Sequence, residues 1–474
     1  RKEILLGMGI ENSPEFSPQD FPGIMVLDKE SDWLIGYGSG ARSSFKIFNQ
    51  KRSAGNNQWN ELADFNDNMA DIAQAKNRLF LLSRKDTPKG QVIALDLSDK
   101  VQLSDAKVII PESDKSITRI RISKDVLYFT TQENGFDSLW YQKLNSNSPQ
   151  QIQLPNPGVI SNLHANEVGV TFSVSSPLRN TQYLQASLET VRELGIAADS
   201  YPDANKFEVV RELAPSADGV KVPMTIIQAR NLNKDGNNPV FINAYGAYGF
   251  TIKPVYRNSN FAWLEEGGVM ATCHIRGGGI NGHEWYLAGK GANKPTGHND
   301  LIACNEHLVK LGYTRPEKIT VRGVSAGGAL VGPAVLKRPD LFRSAILEVA
   351  TLNPTRLAFQ QNGLNQVAEF GDPRTKTGFE ETFAMDAYEW LPRAQGYPDL
   401  FLVAGLNDGR VAPWIMAKFA ARASSLSNNL VMLRTDAGSG HFATNIDKSV
   451  SKYADQYAYA LNRAGHEDFQ PVAN

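Results

Sequence analysis

The apolar residues of this chain change their period near residue 205, and no single layered architecture satisfies both halves. Up to about residue 195 they form short runs, several of which alternate with polar positions. Turn-forming residues fill the gaps, as in Asp86-Thr87-Pro88-Lys89-Gly90 and Glu133-Asn134-Gly135. Alternation of period two marks antiparallel strands with one face in a core. Strands are expected at Ile24–Asp28, Trp33–Tyr37, Ser44–Phe48, Arg78–Ser83, Val92–Asp96, Lys107–Pro111, Arg119–Ser123, Val126–Thr131, Leu139–Leu144, Gly169–Val174 and Gln182–Leu188. Their spacing predicts an all-β unit, either a sandwich or the meandering blades of a propeller, and no repeated signature decides between the two.

After residue 205 the runs are continuously apolar: Val240–Ala244, Val269–Ile275, Ile319–Arg322, Ala345–Glu348, Leu400–Ala404 and Leu430–Arg434. Helical stretches separate them. In Asp300–Leu311, for example, Leu301, Cys304, Leu308 and Leu311 fall on one face. Strands buried on both faces and joined by helices predict a mainly parallel sheet. The expected organisation is therefore an all-β domain over 1–198 and an α/β domain over 199–474, divided within the polar stretch Ala197–Lys206.

A chain of 474 residues exceeds one compact core, which agrees with two domains. A formal net charge of -1 provides no basic footprint for nucleic acid. No apolar run approaches the roughly 18 residues of a membrane helix. Cys273 and Cys304 are the two cysteines, too few for a disulfide scaffold, and two buried reduced thiols are expected. The chain opens at Arg1, which points to a fragment or processed product. Cytoplasm and bacterial periplasm both stay open as compartments, and the oligomeric state is not readable.

The chemistry centres on Gly323-Val324-Ser325-Ala326-Gly327. This G-x-S-x-G follows a strand pattern, Lys318–Val321, and precedes a small-residue helix, Ala329–Lys337, the context of a nucleophile elbow. In α/β-hydrolases the acid and then the histidine follow the serine along the chain. Asp408 stands just beyond the strand Leu400–Ala404, and His441 lies in a glycine-rich loop beyond Leu430–Arg434. His466, in a polar tail, is the poorer alternative. The expected roles are Ser325 as nucleophile, His441 as general base and Asp408 as its orienting acid. The backbone N–H of Ala326 is expected to face the oxyanion. No cofactor or metal is expected. Gly277-x-Gly279-x-x-Gly282 follows a strand but is not expected to open a helix, so it is discounted as a nucleotide site. His274, His283 and His298 lack metal-site spacing.

At this point the sequence closely resembles the peptidase domain of the prolyl oligopeptidases, with features shared with oligopeptidase B. The matching stretches are Asp218–Met224, Asn243–Phe250, Ile275–Gly279, Gly323–Gly328, Arg338–Phe342 and Asn407–Val411, in order over about 260 residues. The resemblance implies an α/β-hydrolase domain preceded by part of a β-propeller that caps the site and restricts entry to short peptides. At about 45–50 residues per blade, four blades fit here, so by this resemblance the early blades of a seven-bladed propeller are expected to lie outside this sequence. It implies that the Tyr245 hydroxyl joins the oxyanion hole, with Tyr248 as the alternative. It implies that Arg410 binds a substrate carbonyl, and that Phe250, Phe370 and Val411 line the pocket for the residue before the cut. Gln366 stands where the family places a proline-stacking tryptophan, which removes the basis for strict proline preference. Lys253 follows Phe250 with no acid before Glu265, so a trypsin-like preference is unsupported as well. The expected activity is that of a serine peptidase acting on short peptides. An esterase or aminopeptidase on the same scaffold, or a non-catalytic binding protein, are the rivals.

Overall fold

A computed structural model of the chain describes residues 6–25, 27–54, 58–133 and 135–471. The expected strand Ile24–Asp28 and turn Glu133–Gly135 each include a residue outside that set. Ahead of residue 198 the described strands form four antiparallel sheets of four strands, each strand pairing with its neighbours in sequence. Consecutive sheets stack face to face. Leu79 and Leu81 of the strand Arg78–Ser83 join a core with Ile35 and Ile47 of the first sheet, while Phe80 and Leu82 join Ile120 and Phe129 of the third. A further apolar layer, with Tyr128, Leu139, Ile160 and Phe172, closes the third sheet onto the fourth. These are propeller blades, so the sandwich alternative falls.

Blade packing explains the uneven period of the sequence. A strand with a sheet on either side buries both faces and loses its alternation, whereas outer edge strands lose their apolar face. Five strands were not anticipated: Asn60–Ala63, Met69–Ala75, Gln150–Ile152, Val159–Ala165 and Thr190–Ala197. Met69–Ala75 carries Asp71, whose carboxylate accepts the Ile120 N–H (2.9 Å) of the next blade and pairs with Arg121 (3.0 Å). A polar residue satisfied in this way reads as loop in the sequence.

The second half builds one eight-stranded sheet, numbered here β1 (Phe207–Pro215), β2 (Lys221–Ala229), β3 (Val240–Ala244), β4 (Val269–Cys273), β5 (Ile319–Val324), β6 (Ser344–Glu348), β7 (Asp399–Gly405) and β8 (Val431–Asp436). Their spatial order is 1-2-4-3-5-6-7-8. β2 runs antiparallel to β1 and β4, and the remaining pairs are parallel. The antiparallel β1 and β2 were not anticipated. Helices α1 (Lys294–Lys310) and α2 (Gly328–Lys337) pack into the larger apolar layer, and α3 (Ile446–Arg463) into the layer on the other face. α1 starts six residues before the expected Asp300. Its first turns bury polar groups that the apolar pattern does not register: His298 contacts the Ala329 carbonyl (2.9 Å), and Asp300 pairs with Arg276 (2.6 Å).

The expectation of two reduced thiols is corrected. Cys273 on β4 and Cys304 on α1 are joined as a disulfide, with Cα atoms 6.2 Å apart. Residues 31 apart in sequence gave no sign that the strand and the crossover helix would align there.

Candidate active site

Ser325 follows β5 at the corner before α2, with φ at +54°. That left-handed conformation is strained for a non-glycine residue and marks a sharp turn. The corner is crowded as well. A Cβ placed on Gly327 would lie 3.0 Å from the Ala244 carbonyl oxygen at the end of β3 and 3.4 Å from the Cα of Tyr245. The neighbouring peptide is fixed by the Thr351 N–H donating to the Ser325 carbonyl (2.8 Å).

The strands that follow bring two loops to this corner. Beyond β7 the chain turns at Asp408, and beyond β8 it turns toward His441. The loops are tied together, with the Leu406 N–H donating to the Asp436 carbonyl (3.0 Å) and the Asn407 N–H to the Ser439 carbonyl (3.0 Å). Their approach depends on Gly405, whose added Cβ would fall 2.0 Å from the Gly440 carbonyl oxygen. As a result His441 Nε2 lies 2.9 Å from Ser325 Oγ, and His441 Nδ1 lies 2.8 Å from Asp408 Oδ2. The other carboxylate oxygen, Oδ1, accepts the N–H groups of Arg410 (2.8 Å) and Val411 (3.0 Å). Burial opposes ionisation of Asp408, but the His441 ring and the two N–H donors outweigh it and hold the carboxyl below its ordinary value.

Ser325 and His441 open into a cavity of about 450 Å3 that Tyr245, Phe250 and Arg410 also line. Burial, then the charge of Glu369, pushes the Tyr245 hydroxyl up to about 12. Ala326 is buried directly behind Ser325. Tyr248, the alternative to Tyr245, does not line this cavity. Its hydroxyl donates to Gln366 Oε1, and its ring meets that of Phe370 edge-on at 6.0 Å. Of the residues expected around the substrate, Phe250 and Arg410 stand at the cavity. Phe370 is fully buried, and Val411 is buried with its N–H committed to Asp408. Neither lines the cavity, because the apolar layer under the sheet claims both side chains.

Sequence reasoning missed the polar anchor behind this site. Lys294 donates to the Gly246 carbonyl (2.9 Å), next to Tyr245, and to Glu369, which also accepts the Tyr286 hydroxyl (2.8 Å). No local spacing could reveal partners 75 residues apart. Lys253, noted in the sequence for the absence of nearby acids, pairs with Asp137 of the third blade (3.1 Å). The glycine triplet at Gly277 is followed by a short helix, His283–Leu287, contrary to expectation. Its glycines nonetheless serve close approach, for a Cβ on Gly279 would meet the Gly249 carbonyl oxygen at 2.1 Å.

Blades stacked ahead of a sheet of this order, with a serine at the β5 corner, define a propeller-bearing α/β-hydrolase. The family model described as "Prolyl oligopeptidase family" matches residues 254–467, and "Prolyl oligopeptidase, N-terminal beta-propeller domain" matches residues 31–190. The chain belongs to the prolyl oligopeptidase family. It is 28% identical to protease 2 of Moraxella lacunata, over 85% of this chain and 60% of that protein. It is 26% identical to a prolyl endopeptidase of Elizabethkingia meningoseptica, over 85% of this chain and 57% of that protein. A solved prolyl endopeptidase superposes with a TM-score of 0.89 at 25% identity, covering 95% of this chain and 67% of that one. Oligopeptidase B of Leishmania major superposes at 0.85 with 21% identity, covering 97% and 67%. The chain thus spans between 36% and 60% of the length of the curated relatives it matches. No helix among the described residues is long and apolar enough to cross a membrane.

Proposed function

We propose that this protein is a serine peptidase that cleaves short peptides through an acyl-enzyme. The observation that carries this reading is the continuous hydrogen-bond line from Ser325 Oγ through His441 to Asp408. His441 accepts the serine proton during attack and returns it to the leaving amine, while Asp408 fixes the ring tautomer and stabilises the imidazolium. The negative oxygen that develops is met by the Ala326 N–H and the Tyr245 hydroxyl. A hydroxyl whose pKa is pushed up to about 12 stays protonated and can donate throughout the working range. Arg410, beside the cavity, binds a substrate carbonyl, and Phe250 supplies an apolar wall. Residues 1–198 serve as the cap and 199–474 as the catalytic unit.

Several relatives carry the name prolyl endopeptidase, and one is a dipeptidyl aminopeptidase. Peptides are accordingly the substrate class proposed here. The amide of Gln366, engaged by Tyr248, gives no aromatic face on which proline could stack, so strict cleavage after proline is not proposed. A fluorophosphonate probe should label the wild type at Ser325 and leave Ser325→Ala unlabelled, and the wild type should hydrolyse short peptides as well as the intrinsically more reactive esters. Absence of labelling would remove the serine mechanism. Labelling with ester turnover alone would reassign the chain as an esterase.

A further inference from the structure

A second cavity, of about 540 Å3, lies between the blades and the α/β unit. Its wall carries Arg84, Arg119, Arg121, Lys253, His164 and His283, and no aspartate or glutamate lines it. Two of these charges are compensated, Arg121 by Asp71 at 3.0 Å and Lys253 by Asp137 at 3.1 Å. The guanidinium groups of Arg84 and Arg119 have no ion-pair or hydrogen-bond partner among the described residues. Asp71 attracts Arg84 from a distance, but its oxygens are already taken by Arg121 and the Ile120 N–H. Burial, then the charge of Arg119, holds the Arg84 guanidinium below its ordinary value. His283 is buried with its Nδ1 unpartnered. Burial, then Arg84, lowers that ring to about 4, so it is neutral at physiological pH and free to offer one N–H. Arg84 is half-buried and Arg119 reaches solvent, so water screens part of their repulsion, and an entering anion offsets the rest.

The cavity neighbours the one that Ser325 opens into, since Phe250 and Lys253 line both. We propose that the Arg84–Arg119 cavity is an anion subsite that receives a carboxylate of the peptide held at Ser325, so that the favoured substrates are short peptides carrying a carboxylate away from the cut. This proposal rests on the peptidase reading above. A forked guanidinium matches a carboxylate bidentately, which gives both affinity and register. The carboxylate could be the peptide's own C-terminus or the side chain of an aspartate or glutamate.

The test uses matched peptides of one length on the full chain, free acid against C-terminal amide and distal Glu against distal Gln. The readout is the ratio of kcat/KM within each pair. Wild type should favour carboxylate by about tenfold or more, the effect of one charge-assisted hydrogen bond. In Arg84→Gln with Arg119→Gln the ratio should fall close to one, and in Arg84→Lys with Arg119→Lys it should largely return. A gain confined to the free-acid pair assigns the C-terminus, and one confined to the Glu pair assigns a side chain. A wild-type ratio near one in both pairs, or a ratio unmoved by the glutamine variants, overturns the subsite. Calorimetric binding of the same peptides to Ser325→Ala reads the preference without turnover. Failure of the peptidase reading, seen as an unlabelled Ser325, is thereby separated from failure of the subsite.

Discussion

The ammonium of Lys294 and the carboxylate of Glu369 are paired where neither side chain has any solvent-exposed surface. Through the Gly246 carbonyl the pair holds the loop that presents Tyr245. Removing one member leaves the other charged and buried, which costs about 3–5 kcal/mol. Lys294→Met should therefore lower the unfolding free energy in urea by that order. Lys294→Met combined with Glu369→Leu should recover part of the loss, because no isolated charge is then left inside. Single-variant stability indistinguishable from wild type would show that the pair carries no such load.

Asp408→Asn keeps the shape of the acid but lets the His441 ring take the wrong tautomer. Peptide turnover should fall by about 10⁴, and a near-normal rate would remove Asp408 from its role. The same change has a pH signature. The folded carboxyl lies below its ordinary value, so its stabilising contribution is present above the unfolded value near 4 and is lost as pH falls through the folded one. The stability gap between wild type and variant should be full at pH 7 and shrink below about pH 4.

Tyr245→Phe removes one donor to the oxyanion and should cost about 10²–10³ in kcat, with KM changing little. A free tyrosine ionises near 10, whereas here the hydroxyl is pushed up to about 12. The alkaline limb of kcat/KM should thus show no group ionising near 10 that disappears in the phenylalanine variant. Tyr248→Phe, at the hydroxyl that meets Gln366 instead, should leave the rate of attack close to that of wild type.

Cys273 and Cys304 close a loop across β4 and α1. For a separation of 31 residues, loop closure stabilises the fold by about 3–4 kcal/mol. Thiol titration of the unfolded, unreduced chain should find no free thiol. A reductant should lower the unfolding free energy by that order, while Cys273→Ala with Cys304→Ala should be insensitive to it. Two titratable thiols in the untreated protein would contradict the bridge.

The sequence was most informative where chemistry is local. The strand, glycine corner and helix around Ser325 are consecutive, and the apolar runs of β3, β5, β6 and β7 carry their own signal because a strand covered on both faces has no polar alternation to blur it. The blades were legible only in part. Polar residues such as Asp71 are satisfied by the adjacent blade, and edge strands such as Thr190–Ala197 present little apolar surface.

By itself the chain determined which residues could react and in what order along the sequence they occur, since nucleophile, acid and base each need a particular side chain in a particular local turn. Only the tertiary structure decided that Tyr245 faces the cavity while Tyr248 meets Gln366, that Phe370 is core, that Cys273 reaches Cys304, and that Arg84 and Arg119 share a cavity without a counter-charge. Each of these depends on which side of a packed layer a side chain occupies and on partners dozens of residues away. Long-range burial and charge pairing settle them, and no local period encodes them.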